Sequence, residues 1–468
     1  MTTAGPEPPV ERVAGGGVAA LAGAVAATSW EASPTAVRDR VVDLVADCVA
    51  VSALGSGRPE LMRLVRIHAD STPEGRATVV GSTRGWPSSS AAFLNACAVA
   101  ADQLQDGHRL ARGHPASHVV PAVLALAEER DLGGPDVLSA VLAGYEAGVR
   151  VGRAMGGTPD GVHDIGTWGQ VAVSAAVARL LAPGDAAAAQ RALELSAAAV
   201  LMTDAATVFA GRTGSHVFLG ASVQLGCSLG TAAVAGLEPE AGALDRHLGG
   251  VAARTWDPTP LGALVTGGWG EHEVLGGYVK AHPTCAHLHG VNDAVADLVD
   301  QGIAGRDVVE VEIRAAAGAA AFAPVADGEL GARFSVPTSV AVALVMGRLD
   351  ETTMTDDAVT APDVLDLARR VRVVHDPDLD EGYPDGRPAR VRVRLRDGTE
   401  RSATADRPRG DADRAFSRAE LAAKSARLLA HRFGDAGTDV LAAIHGLGGD
   451  GRARDVGAAL RRAAEPAR

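Results

Sequence analysis

The sequence predicts a mainly α protein: a large, discontinuous all-helical domain with a smaller α+β lid domain. Three observations point there. Helical patterning runs from about Ser33 to Leu264. Strand alternation is confined to the stretch between about 267 and 401. Helical patterning then returns from about Phe416, and the simplest packing sends that tail back onto the first domain. The expected boundaries are 1–15 for a disordered tail, 16–265 plus 405–468 for the helical domain, and 266–404 for the lid.

The elements follow in order. "SPTAVRDRVVDLVADCVAVSALG" offers Ser33 as an N-cap and Pro34 in the first turn, and it ends at Gly55. "SSSAAFLNACAVAADQLQDG" predicts a second helix reaching to near Gly107. "HPASHVVPAVLALAEER" and "GGPDVLSAVLAGYEAGVRVGRAMG" give a third and fourth. "WGQVAVSAAVARLLA", "DAAAAQRALELSAAAVLMT" and "HVFLGASVQLGCSLGTAAVAGL" continue the series. In the lid, Val309, Val311 and Ile313 alternate with acids, the pattern of a half-buried strand. Val391, Val393 and Leu395 alternate with arginines before Asp397-Gly398, a hairpin signal. "SVPTSVAVALVMGRL" and "APDVLDLARRV" between them read as helices. Strands mixed with helices make the lid α+β.

Composition narrows the functional classes. Of 468 residues, 47 % are apolar but only 3 % aromatic, so the cores must be built from Ala, Val and Leu. Such small side chains let helices approach closely. A formal charge of −13 argues against nucleic-acid binding and against a polybasic membrane tether. It permits an anionic substrate, because a pocket can be locally basic. Cys48, Cys97, Cys227 and Cys285 are far apart with no CxxC, which argues against a disulfide framework and against a zinc site. "VAALAGAVAA" near the start is too short to span a bilayer and has no basic segment before it. The expectation is a cytoplasmic protein with reduced thiols.

Chemistry-bearing residues cluster. "DGHRLARGHP" places Asp106, His108, Arg109, Arg112 and His114 within ten positions. Read alone, His108 and Arg109 serve equally well to complement a helix dipole. Lys280, Cys285, His287 and His289 form a second group, and Lys280 is one of only two lysines, with Lys424. The spacings fit no standard metal motif, and neither a metal nor a cofactor is expected. His163 stands alone in the glycine-rich "GVHDIGTWGQ".

Six segments occur in order: the stretch from "ATVVGSTRGWP" through "DGHRLARGHP", then "LAGYEAGVRVGRA", "GVHDIGTWGQ", "YVKAHPTCAHLHGVNDAVADL", "RFSVPTSVAVALVMGRL" and "DPDLDEGYPDGRPARVRVRLRDGTE". In this order the chain resembles the MmgE/PrpD family from about residue 35 to 430. The resemblance implies a homodimer, an active site between the two domains, and cofactor-free chemistry on small carboxylates. A proton is removed next to a carboxylate, and then a group leaves or the centre inverts. That chemistry needs a base within reach of the C–H and cations to take up enolate charge.

By motif, Asp106 and His108 match the family's "DDTH/DDGH" stretch and His114-Pro115 its "HP" pair. His163 matches the histidine of its "G-F-H" loop. Lys280, Cys285 and His289 match "K-x-x-P-x-C-x-x-x-H". The resemblance thus implies His163, Lys280, Asp106 and His108 as catalytic. It implies Gln103, Arg109, Arg112, His114, Cys285, His289, Ser215 and Thr338 as substrate-binding.

Several positions depart from the family pattern. Gln103 stands where an acid is common, Ser215 where a base is expected, Thr338 where a tyrosine is frequent, and Ala286 where an arginine is common. On a continuous helix, Asp106 would sit on the same face as Gln103 and could replace the missing acid. The departures suggest a pocket less cationic than a tricarboxylate requires. The leading expectation is therefore a lyase acting on a smaller acid, with an activated hydroxyl such as a phosphate ester as leaving group, in a specialised biosynthetic pathway. An epimerase or isomerase, and a non-catalytic binding or scaffold member of the family, are the alternatives.

Overall fold

The computed structural model describes residues 16–466 apart from 263, 265–267 and 385. The N-terminal tail expected at 1–15 and the domain junction expected at 265–266 lie outside the described residues.

The first core is helical. Helices α1 (Gly16–Ala27), α2 (Thr35–Ser56), α3 (Pro59–Ser71), α4 (Ser88–Ala101), α5 (Pro115–Glu129), α6 (Gly134–Ala154), α7 (Gly169–Leu181), α8 (Ala186–Ala197) and α9 (Ser215–Val234) form its body. Small residues set their spacing. A Cβ at Gly226 would fall 2.6 Å from Val173 Cβ, and one at Gly230 would fall 2.8 Å from Val177 Cβ. Only glycine lets α9 lie this close to α7. By length and composition α9 could cross a membrane, but here it packs against α4, α7 and α8.

The second core surrounds a four-stranded sheet. Strands β5 (Val308–Ala315), β6 (Val371–His375), β7 (Ala389–Leu395) and β8 (Glu400–Ala405) lie in the order β8-β7-β5-β6. The β5–β6 pair is parallel and the others are antiparallel. Val311 faces Val393 on one side and Val371 on the other. That inner face packs on α10 (His289–Asp300) and α11 (Val336–Met346).

The chain then returns to the first core. Helix α12 (Arg418–Phe433) opens with a Ser417–Glu420 capping box and lies along α2. Lys424 is 2.7 Å from the buried Asp47 of α2, so the second lysine of the chain is structural. Helices α13 (Gly437–Gly446) and α14 (Ala453–Ala463) complete the same core. That core also takes in Trp269, Val274 and Val279, which lie beyond the boundary expected at 266.

Two local expectations are corrected. The second helix stops at Ala101 instead of continuing to Gly107. Gln103 adopts φ +51°, and Asp106–Gly107 forms strand β1, paired with Tyr278–Val279 of β4; β2 and β3 are the short pair Val162–His163 and Thr203–Asp204. Asp102 explains the stop. Arg333 of the lid donates to its carbonyl at 2.7 Å and to its carboxylate at 3.1 Å, and Arg58 joins the same carboxylate. This tertiary pull outweighs the helical preference of the alanine-rich run. The second correction is β6, because the helix begun at Pro362 ends at Ala368 and the β-branched Val371, Val373 and Val374 follow as strand. The Arg58–Asp102–Arg333–Glu329 network also fixes the lid on the body.

Candidate active site

A cleft with about 600 Å³ of empty space lies where β1, β4, the His163 connection and the start of α10 meet. Its chemistry is set by three cations. Lys280 follows directly after β4 and is wholly buried. Its Nζ faces two amide oxygens, Gln103 Oε1 at 3.4 Å and Gln105 Oε1 at 3.5 Å, and no carboxylate pairs with it among the described residues. Burial pushes its pKa down to about 7. Arg112, at φ +55°, stacks over Tyr383 at 5.5 Å. Arg387 stacks over Tyr278 at 5.3 Å. Neither guanidinium has a carboxylate partner among the described residues, so both keep their donors for a ligand. The cleft is therefore more cationic than the sequence departures suggested.

A His–Asp pair lines the same cleft. Strand β2 pairs with β3, which places His163 against Thr203. His163 Nδ1 lies 3.0 Å from Asp164 Oδ1 and 3.2 Å from the N–H of Ile165. These contacts ask for opposite protonation, because a carboxylate favours a proton on Nδ1 and an N–H donor favours a lone pair. Only the Ile165 contact has hydrogen-bond geometry, and there Nδ1 accepts. A proton moved to Nδ1 would face Asp164 Oδ1 and leave the Nε2 lone pair free to take a proton. Burial raises the Asp164 pKa, and the charge of His163 opposes that rise.

His114 completes the polar lining. Its Nδ1–H donates to the Asp106 carbonyl at 2.6 Å, and a carbonyl can only accept, so Nε2 carries the lone pair. Burial holds its pKa well below the usual histidine value. Cys285 also lines the cleft, and burial raises its thiol pKa. A thiol in that state is no nucleophile at neutral pH.

Of the residues expected at the site, the cleft thus brings together Gln103, Arg112, His114, His163, Lys280 and Cys285. The other expected residues lie elsewhere. The Asp106 carboxylate accepts from the N–H groups of Ala116 and Ser117 at 2.9 and 3.0 Å and from the Ser117 hydroxyl at 2.7 Å. It anchors the N-terminus of α5 and, on a strand, does not share a helix face with Gln103. His108 is buried beside Glu273 at 3.7 Å, and burial lowers its pKa to about 3, so it stays neutral outside the cleft. Arg109 pairs with Asp413 at 3.0 Å on the outer side. His289 packs edge-on against His282, whose partner is the buried Asp293. Ser215 opens α9 away from the lining. Thr338 accepts from the N–H of Ala326 at 3.0 Å and braces that loop.

Sequence reasoning missed Asp164, Gln105, Arg387, Tyr278 and Tyr383. Asp164 could have been found, since an acid directly beside a candidate base is a local signal. Arg387 could not, because it lies 107 positions beyond Lys280 among many arginines.

The comparisons with known proteins agree with this architecture. The chain matches the MmgE/PrpD N-terminal domain over residues 19–259 and the MmgE/PrpD C-terminal domain over 282–445. It is 27 % identical over 414 residues to a cis-aconitate decarboxylase of Aspergillus terreus, covering 81 % of this chain and 82 % of that protein. It is 35 % identical over 158 residues to the cis-aconitate decarboxylase-like protein oryM of Aspergillus oryzae, covering 32 % of this chain and 33 % of that protein.

Proposed function

The chain belongs to the MmgE/PrpD family, whose members act on small carboxylic acids, and on that premise we propose that this cleft is the active site of a cofactor-independent lyase. The observation that carries the reading is the convergence of Lys280, Arg112 and Arg387 with the His163–Asp164 pair in the lining of one cleft.

The chemistry follows from that placement. The cations hold a carboxylate and take up the charge that spreads onto it when the neighbouring C–H ionises. With the neutral ring's proton on Nδ1 facing Asp164, His163 Nε2 accepts that proton, and Asp164 stabilises the resulting imidazolium. The electron pair left on carbon forms a C=C bond as the adjacent C–O bond breaks. The imidazolium can return its proton to the departing hydroxyl, which leaves as water. A phosphate leaving group would need no such proton.

Decarboxylation is the second reading, favoured by the similarity to the Aspergillus terreus protein over most of both chains. Here a C–C bond to a carboxylate breaks, carbon dioxide leaves, and the electron pair on carbon takes a proton from the imidazolium. Proton NMR in D2O separates the readings, with citrate, 2-methylcitrate, cis-aconitate, malate and β-hydroxy or β-phosphorylated acids as substrates. Alkene formation without carbon dioxide supports elimination. Carbon dioxide release supports decarboxylation. Deuterium entering next to a carboxylate with no new product indicates an epimerase. No exchange with any acid counts against the lyase reading.

A further inference from the structure

The polar cleft adjoins a second, apolar chamber. This chamber has about 1200 Å³ of empty space, part of it open to solvent. The two spaces share Phe209, His287 and Phe334 as walls. Phe209 meets His163 edge-on at 5.2 Å, Phe322 at 5.4 Å and Phe334 at 6.3 Å. Three of the seven phenylalanines of an aromatic-poor chain therefore converge beside the proposed base.

The rest of the chamber is equally apolar. Ala321, Pro324, Val325 and Ala326 extend the wall outward, and among the described residues the only charged side chains lining it, Arg212 and Asp327, lie exposed with each other at 3.8 Å. Phe209 and Val325 are 40 % and 39 % exposed, an arrangement that leaves apolar surface in water unless something covers it. A tricarboxylate of six carbons fits the cations of the inner cleft but gains nothing from this outer wall. The walls shared with the cleft point to an occupant that is part of the substrate.

We propose that the substrate is a carboxylic acid bearing an apolar alkyl or aryl substituent, which passes Phe209 and lies against Phe322 and Phe334 while the carboxylate is held at Lys280. The inference rests on the cleft being the carboxylate site. It makes Phe209, Phe322 and Phe334 specificity-determining residues.

Isothermal titration of the full chain with succinate, 2-butylsuccinate and 2-benzylsuccinate tests it. Each methylene buried is worth about fourfold in affinity. The expected result is a benzylsuccinate affinity at least about tenfold above that of succinate. Phe209→Asp should collapse that ratio, and Val325→Asp, at an exposed position, should reduce it without threatening the fold. Lys280→Ala should weaken all three ligands. Equal affinities across the series overturn the apolar substituent and leave the carboxylate site standing. Tight benzylsuccinate binding that ignores Lys280→Ala overturns the carboxylate site instead. No binding by any of the three overturns both.

Discussion

The main-chain carbonyl of Asp106 accepts the Nδ1–H of His114 at 2.6 Å, while the Asp106 carboxylate caps the helix that His114 opens. One residue thus fixes the His114 tautomer and the α5 N-terminus. It also pairs with Val279, next to Lys280. Asp106 is a positioning residue. Asp106→Asn removes one of two acceptor oxygens from a buried cluster of donors, which costs about 1–3 kcal/mol. The expected outcome is a lower Tm with kcat reduced by less than about tenfold, well short of the 10²–10⁴ loss typical of a missing acid–base group. A kcat loss in that larger range with an unchanged Tm would restore Asp106 as a catalytic group.

Lys280 sets the alkaline side of the pH profile. A lysine is charged below its pKa, here lowered to about 7 by burial. The value of kcat/KM, which reports the free enzyme, should decline as pH rises through about 7. The linkage to folding has the opposite sense. Between about pH 7 and the ordinary lysine value of 10.5, the unfolded chain binds a proton that the native chain lacks, so Lys280 adds stability as pH rises. Lys280→Ala should reduce kcat/KM by the equivalent of about 2–5 kcal/mol, the usual cost of removing one partner of a buried charge pair.

Gln103→Glu places a carboxylate where an amide oxygen now lies 3.4 Å from Lys280. An opposite charge at that distance favours the ammonium form. The alkaline limb of kcat/KM should move to higher pH, and substrate affinity should fall because the cation is then partly neutralised. A limb that stays in place would show that Lys280 does not control it.

His163→Ala should lower kcat by about 10²–10⁴ and leave deuterium exchange undetectable. Asp164→Asn keeps the shape of the pair but loses its charge, so a smaller drop is expected. Equal activity of His163→Ala and the wild type would remove His163 as acid or base.

Gly107→Ala probes the wall behind Lys280. A Cβ at this position would fall 2.2 Å from Cζ of Tyr278. Tyr278 must shift, and with it the strand that leads into Lys280. Overpacking of this kind costs about 1–3 kcal/mol. The measurable signs are a lower Tm and a raised KM.

The sequence by itself determined the helical body, the valine-rich sheet of the lid and the returning tail. Each rests on local periodicity: the helical spacing of α2 and α5–α7, the alternation of Val309, Val311 and Ile313 and of Val391 and Val393 with charged residues, and the helical patterning that returns from about Phe416. It also marked Lys280 and His163, because an isolated lysine and a histidine in a glycine-rich connection stand out locally. Only the tertiary structure decided what surrounds them. Asp106 reads as an acid in a reactive run, yet its lone pairs are taken by the start of α5, a contact ten and eleven residues away. Arg387 and Arg112 read as two among many arginines, yet they line the same cleft as Lys280. Whether a polar side chain binds substrate or holds the fold depends on which partners arrive to satisfy it, and the partners come from segments that local spacing does not link.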